Sequence, residues 1–294
     1  MKYVYLDHNI YIYALTDNSI SPVVNSLKTH QTRFVYSPAH IEEIYKALKD
    51  GGKSYRKNAK LLLQMIEDFT DCNELLPTKS EGVVQRVEHP SQCYRRVAEW
   101  DTTERMKHDS QDKYYSDSAH YHEMLAVDKH NQSISTLSYE AVWKHPAIAS
   151  ALADLNDNLH YSVERANAST DTMLCAMMGV DKRLPLDLQI EKGSFDKLKG
   201  YHTQLEYIIE VLFRLLNRYG YNSEKNQATT LSGIHDVTHA IYAAYTEIII
   251  TTDFRFAQKC KAVYYFLGVP TRVICCGQNE IASTLKSLKD DHAV

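Results

Sequence analysis

The stretch Gly233-Ile-His-Asp-Val-Thr-His-Ala-Ile-Tyr-Ala-Ala-Tyr-Thr-Glu-Ile-Ile-Ile-Thr-Thr-Asp253 decides the fold. It reads as a helix carrying an acid, then a short buried strand, then a second acid. Asp236 stands where the pattern opens the helix, a position at which the helix dipole favours a carboxylate. Ala240, Ile241, Ala243 and Ala244 give that helix a small-residue face suited to close packing on a sheet. Ile248, Ile249 and Ile250 form a continuous β-branched run, the mark of a strand buried on both faces. Asp253 therefore follows the carboxyl end of a central strand, where open α/β sheets place their ligands.

Working outward, Lys2-Tyr-Val-Tyr-Leu-Asp7 repeats the arrangement: a short apolar strand over 2–6 with an acid at its carboxyl end, then Asn9 and a helical pattern over 10–15. Carboxyl ends of parallel strands share one sheet edge, so Asp7 and Asp253 are expected to be neighbours although nearly the whole chain separates them. Residues 33–36 and 271–275 read as further strands, and the fold class is α/β with a short parallel sheet. Ser21-Pro22 and Ser37-Pro38 fit helix starts, with Ser as cap and Pro in the first turn. The second of these helices sets Ile41, Ile44, Tyr45 and Leu48 on one face, and Gly51-Gly52 is expected to end it. Helices over 257–267, ended by Gly268 and Pro270, and over 278–288 follow, and 290–294 is expected to fray.

The long middle is mostly helical in period. A helix is expected over 53–75, opening with Lys53, Arg56, Lys57 and Lys60 before its first acid, Glu67. That run suits contacts to phosphates, or a solvated helix face. Residues 81–96 are less regular, and helices are expected over 139–154, 163–178 and 195–219. The last carries Leu205, Ile208, Ile209, Leu212, Leu215 and Leu216, a stripe that must be buried in a core or against a partner such as a second copy. Residues 51–230 hold 22 Lys and Arg against 26 Asp and Glu, which excludes a generic basic arm for nucleic acid.

Four segments, taken together, resemble the acidic motifs of PIN-domain nucleases: Tyr5-Leu-Asp-His-Asn9, Ser37-Pro-Ala-His-Ile-Glu-Glu-Ile44, Asp236-Val-Thr-His-Ala240 and Ile250-Thr-Thr-Asp-Phe-Arg-Phe256. The resemblance covers roughly residues 1–50 and 230–275. It implies a three-layer α/β/α PIN-like core formed by 1–50 and 230–294, with 51–229 as a large, mainly α-helical insertion. Glu42 and Glu43 are adjacent, so they point about 100° apart on a helix and only one can face the sheet edge. Glu43 stands directly before Ile44, as the acid does in the family's second motif, which leaves Glu42 to solvent.

The resemblance implies that Asp7, Glu43, Asp236 and Asp253 hold metal and carry catalysis. Asn9, Thr251 and His239 would support them, and Lys53, Arg56, Lys57, Lys60 and Arg255 would contact substrate. Four converging carboxylates repel one another unless a cation neutralises them, and an all-oxygen cluster selects Mg²⁺ or Mn²⁺. Such ions orient a water and stabilise the phosphorane in hydrolysis of a phosphodiester. The implied activity is a metal-dependent endoribonuclease, with RNA (often tRNA, as in the family's toxin members) favoured over DNA and a toxin-like or phage-defence role. A DNA nuclease using the same ions and a catalytically silent scaffold are the other readings. His235-Asp236, with His239 at i+4, invites comparison with HD phosphohydrolases, but the strand and acid that follow oppose an all-helical fold. His120-Tyr-His122-Glu123 reads as a surface cluster, and His8 as a residue able to face the cleft.

Composition bounds the rest. The 294 residues are 44% hydrophobic and 24% charged with a net charge of −4, an ordinary soluble profile. Six cysteines without metal or disulfide spacing suit small core residues in a reducing, cytoplasmic setting. No apolar run reaches the roughly 18 residues of a membrane span. The 21 tyrosines against 7 phenylalanines suit packing first and base stacking second.

Overall fold

A computed structural model describes residues 2–28, 32–78, 82–99, 134–168, 190–223 and 227–289. Its centre is a four-stranded, wholly parallel sheet in the order β2-β1-β5-β6, with β1 at Lys2–Leu6, β2 at Thr32–Val35, β5 at Ile248–Thr251 and β6 at Arg272–Cys275. The first strand and the isoleucine strand are neighbours, with Leu6 opposite Ile250. Alternation along the strands divides the interior into two layers. Val4, Leu6, Phe34, Ile248 and Ile250 face one core, while Tyr5, Val35 and Ile249 face the other. Helices cover both faces, which is why the isoleucine run is buried throughout.

On the first face lie α1 (His8–Ala14), α2 (Ile20–Lys28) and α3 (Pro38–Thr70). Helix α3 is a single helix of 33 residues and passes through Gly51-Gly52, where the sequence pattern suggested an end. The reason is register. Ile41 and Ala59, and likewise Ile44 and Leu62, are 18 residues apart, which is five turns at 3.6 residues each. The buried stripe therefore continues in line across the glycines, and all four side chains join one core. The glycines cost roughly 1 kcal/mol each in propensity, which burial of Ala59, Leu62, Ile66 and Phe69 offsets. The helix ends instead at Asp71, in the left-handed conformation.

The remainder of the stretch expected to be helical to residue 75 is strand. β3 (Asn73–Thr78) and β4 (Gly82–Val87) form an antiparallel hairpin, joined to the main sheet by backbone hydrogen bonds between Tyr36 and both Asn73 and Leu75. Leu75-Leu76-Pro77 lacks strand alternation, so the pairing is set by partners rather than by period. Gly82 has φ +76°, and a Cβ there would meet the Lys199 carbonyl oxygen. The irregular stretch after residue 81 thus resolves into β4 and α4 (Pro90–Glu99).

On the second face, α5 (Pro146–Ala168) follows two short 3-10 turns at Ile134–Thr136 and Val142–Lys144, so residues 139–145 are not α-helical as expected. Trp143 pins this segment by donating to the Ala262 carbonyl at 2.8 Å. The helix expected over 195–219 is broken at Gly200 into α6 (Phe195–Leu198) and α7 (His202–Arg218). Then come α8 (Gln227–Ala243), α9 (Phe254–Leu267) and, beyond β6, α10 (Ile281–Ser287) on the first face. The apolar stripe of α7 is buried within the chain, in one core with Ala240, Ile249, Phe256 and Val263. The middle of the chain therefore shares both cores with the sheet. Helix 163–178 lies largely outside the described residues, as do His120, His122, Glu123, Cys175 and 290–294. Among the described residues, no helix is long and apolar enough to cross a membrane.

Candidate active site

Parallel pairing of β1 with β5 brings two chain-distant acids to one sheet edge. Asp7, buried at 5% exposure, caps α1 by accepting from the His8 amide at 2.8 Å, and its other oxygen accepts from the Thr251 hydroxyl at 2.7 Å. Thr251 is fully buried, and its oxygen in turn accepts from the Asp253 amide at 3.0 Å. The threonine thus ties the loop after β5 to the first acid. Asp253 is partly buried and caps α9 by accepting from the Phe256 amide at 2.9 Å.

Two helices supply the other acids. Asp236 does not open its helix: α8 starts at Gln227, which puts Asp236 in the helix interior, away from the dipole's favourable end. Burial raises its pKa well above the ordinary value, and Asp7, Asp253 and Glu43 add to that rise while Lys259 opposes it. Burial likewise raises Asp7, with Glu43 adding and His239 and Thr251 opposing. Asp236 and Asp7 are thus raised in part by neighbouring carboxylates, as expected of acids brought together without enough positive charge.

Glu43 is held differently. Its Oε1 lies 2.7 Å from His239 Nε2, and Nδ1 of that ring lies 2.6 Å from the Tyr5 hydroxyl, itself 2.6 Å from Ser37 Oγ. Burial opposes ionisation of both partners. The His8 and His239 charges nevertheless hold Glu43 well below the carboxylate range, and Glu43, with Asp7 and Asp236, holds His239 above the imidazole range. The two form an ion pair when His239 is protonated, with His239 at 1% exposure. Beside it His40 donates from Nε2 to the Leu6 carbonyl at 2.7 Å, accepts from the Ser37 amide at 3.1 Å through Nδ1, and is kept neutral chiefly by burial.

The supporting residues fall into place unevenly. Thr251 and His239 touch the acids as described. Asn9 is exposed on the first turn of α1, and Asp7 is held by Thr251 and the His8 amide instead. Glu42 does not point freely to solvent: burial raises its pKa, and Glu206 and Tyr242 of the facing helices lie within its field. Arg255 is partly buried on the first turn of α9, Arg56, Lys57 and Lys60 are exposed on α3, and the Lys53 side chain lies outside the described residues. His8 and His235 are buried with Nδ1 unpartnered, and burial lowers both, His235 to about 4. His239 spends both nitrogens on Tyr5 and Glu43, so it is not free to form a ligand pair with His235.

The sequence assigned no site role to Lys259, Tyr5 or His40, and to Ser37 only that of a helix cap. Lys259 is 1% exposed on α9, 3.4 Å from Asn217 Oδ1. A signal for it existed: Lys259 falls on the stripe of Phe256, Cys260 and Val263, and a lysine at a core position is rarely buried without an acid near it. As the side chains stand, no three His, Cys, Asp or Glu groups among the described residues are arranged to hold a metal ion. Both Asp7 oxygens are turned to the His8 amide and Thr251, one Glu43 oxygen to His239 and one Asp253 oxygen to the Phe256 amide. No family model, no curated protein and no solved structure matches this chain.

Proposed function

We propose that the protein is a metal-dependent nuclease of PIN-like type, an endoribonuclease in the first instance, whose centre is Asp7, Glu43, Asp236 and Asp253. The observation that carries this reading is the electrostatic reach of Asp236 to three other acids. Asp236 feels Asp7, Asp253 and Glu43, although these acids come from four separate elements. Such a cluster is costly in a protein with nothing to neutralise it, and carboxylate oxygens match the preference of Mg²⁺ or Mn²⁺. Asp7, Asp236 and Asp253 would hold the ion, joined by Glu43 on exchanging its partner His239. The bound ion would supply a nucleophilic water and stabilise charge on phosphorus. The chain's own residues do the rest: Thr251 orients Asp7, Tyr5 and Ser37 hold His239 against Glu43, and Lys259 tempers the charge on Asp236. RNA as substrate, with a toxin-like or defence role, follows from the resemblance alone.

A second reading, a silent scaffold of the same fold, has an observation of its own, since Glu43 is already neutralised by His239. One experiment separates them. Purified protein is incubated with total RNA, tRNA and single-stranded DNA, with Mn²⁺ or with EDTA, beside Asp7→Ala and Asp236→Asn. The nuclease reading expects metal-dependent cutting reduced at least about a thousandfold in each variant, from loss of a charge-stabilising group. Cutting that survives in Asp236→Asn would remove this assignment, and no cutting or metal binding would favour the scaffold.

A further inference from the structure

The exposed flank of α3 holds a feature the acidic centre does not use. A cleft of about 530 Å³ runs between α3 and α4, lined by Tyr45, Leu48, Lys49, Arg56, Lys60 and Tyr94 among others. No carboxylate lines it among the described residues, although the chain as a whole is acidic, with a net charge of −4. Lys49, Arg56 and Lys60 are exposed, whereas Tyr45 and Tyr94 are partly buried and meet edge to face, ring centroids 5.8 Å apart. The cleft thus joins a row of cations to two aromatic faces set in an apolar wall.

We propose that this cleft anchors single-stranded nucleic acid, with phosphates along the Lys49-Arg56-Lys60 row and a base against Tyr94 and Tyr45. Spacing argues for a strand rather than a lone nucleotide. The three cations lie seven and four residues apart, so they share one side of the helix and extend over about 16 Å of its axis. A single phosphate group does not span that length, whereas a backbone does. Aromatic side chains take bases of any sequence, and only unpaired bases offer a free face. Tyr45 is two residues from Glu43 and about 200° around the helix, so the cleft is an anchoring site on the flank of the acidic centre. The inference deepens the nuclease reading by naming the form of its substrate, but binding needs no cleavage.

The test is therefore binding in EDTA, by anisotropy of a fluorescently labelled 15-nucleotide single strand, with a duplex of the same sequence and a mononucleotide as competitors. The single strand is expected to bind best. Arg56→Ala/Lys60→Ala should weaken it at least about tenfold and lower the salt slope by about 1.4, because two fewer phosphates of a single strand are neutralised. Tyr94→Leu should weaken it at least about fivefold. A double variant that binds like the wild type overturns the proposal, as does a duplex or mononucleotide that competes as well as the strand. Arg56 and Lys60 are exposed, so their loss does not threaten the fold. If the strand binds here but Mn²⁺ elicits no cutting, the cleft stands and the nuclease reading falls. If RNA is cut but the double variant binds normally, only the cleft falls.

Discussion

His239 shows how one side chain can set the state of the whole acidic cluster. It is buried, yet its pKa is raised because Glu43 lies 2.7 Å away and Asp7 and Asp236 add to the field. Its folded pKa lies above the free value, so its stabilisation is complete below about 6.5 and is lost as pH rises through the folded value. Glu43 is shifted the other way, so its share is present above roughly 4.3 and is lost only as pH falls through its depressed value. The pair therefore contributes most between those limits. His239→Gln should cost about 2 kcal/mol in urea denaturation near pH 5.5, and less as pH rises. A cost that does not change between pH 5.5 and 9 would mean that His239 is neutral in the fold. Lys259 teaches the complementary lesson, since nothing in its local sequence names Asp236, 23 positions earlier, as the charge it moderates.

Among the elements, α3 carries the most consequence. It begins at the sheet edge, where Ser37 and Pro38 set its direction and Glu43 its chemistry, and it continues past the glycines to wall the flanking cleft. If it is one helix, Gly51→Pro should cost about 3 kcal/mol, because proline removes an interior hydrogen bond and clashes with the preceding turn. Thermal or urea unfolding of the variant checks this, and a cost below about 1 kcal/mol would mean a break at that point. The start of α3 was legible in Ser37-Pro38 and in its apolar period. Its end was not, because Gly-Gly is a local signal and a stripe in register five turns apart is not.

For the whole molecule, the proposed metal centre predicts that stability responds to a divalent ion. Asp7 and Asp236 are raised chiefly by burial and by like charge, so at neutral pH their ionisation weighs against folding. A divalent ion that binds only the folded chain reverses that cost. At a hundred times its dissociation constant, Mn²⁺ should add about 2.7 kcal/mol. For a chain of this size that is roughly 4 °C in Tm. Differential scanning fluorimetry with Mn²⁺ and then EDTA measures it. Asp236→Asn should lose the shift, and a wild type with no shift would speak for the scaffold.

Local chemistry was enough to determine the four short strands of the parallel sheet, the helix that begins at Ser37-Pro38, and the two acids that follow β1 and β5. By contrast, α2 starts at Ile20, one residue ahead of the Ser21 expected to cap it. Strand character is written in β-branched and aromatic runs, and an acid after such a run needs no distant partner to be noticed. Tertiary structure decided what depends on pairing across the chain. The β3–β4 hairpin exists through its bonds to Tyr36 and to itself, not through its period. Asp236 lies inside a helix because α8 starts earlier than its pattern suggested. Glu43 meets His239, and Asp7 meets Thr251, across separations of 196 and 244 residues. Contacts at such range carry no local periodicity, so only the folded arrangement sets which charge faces which.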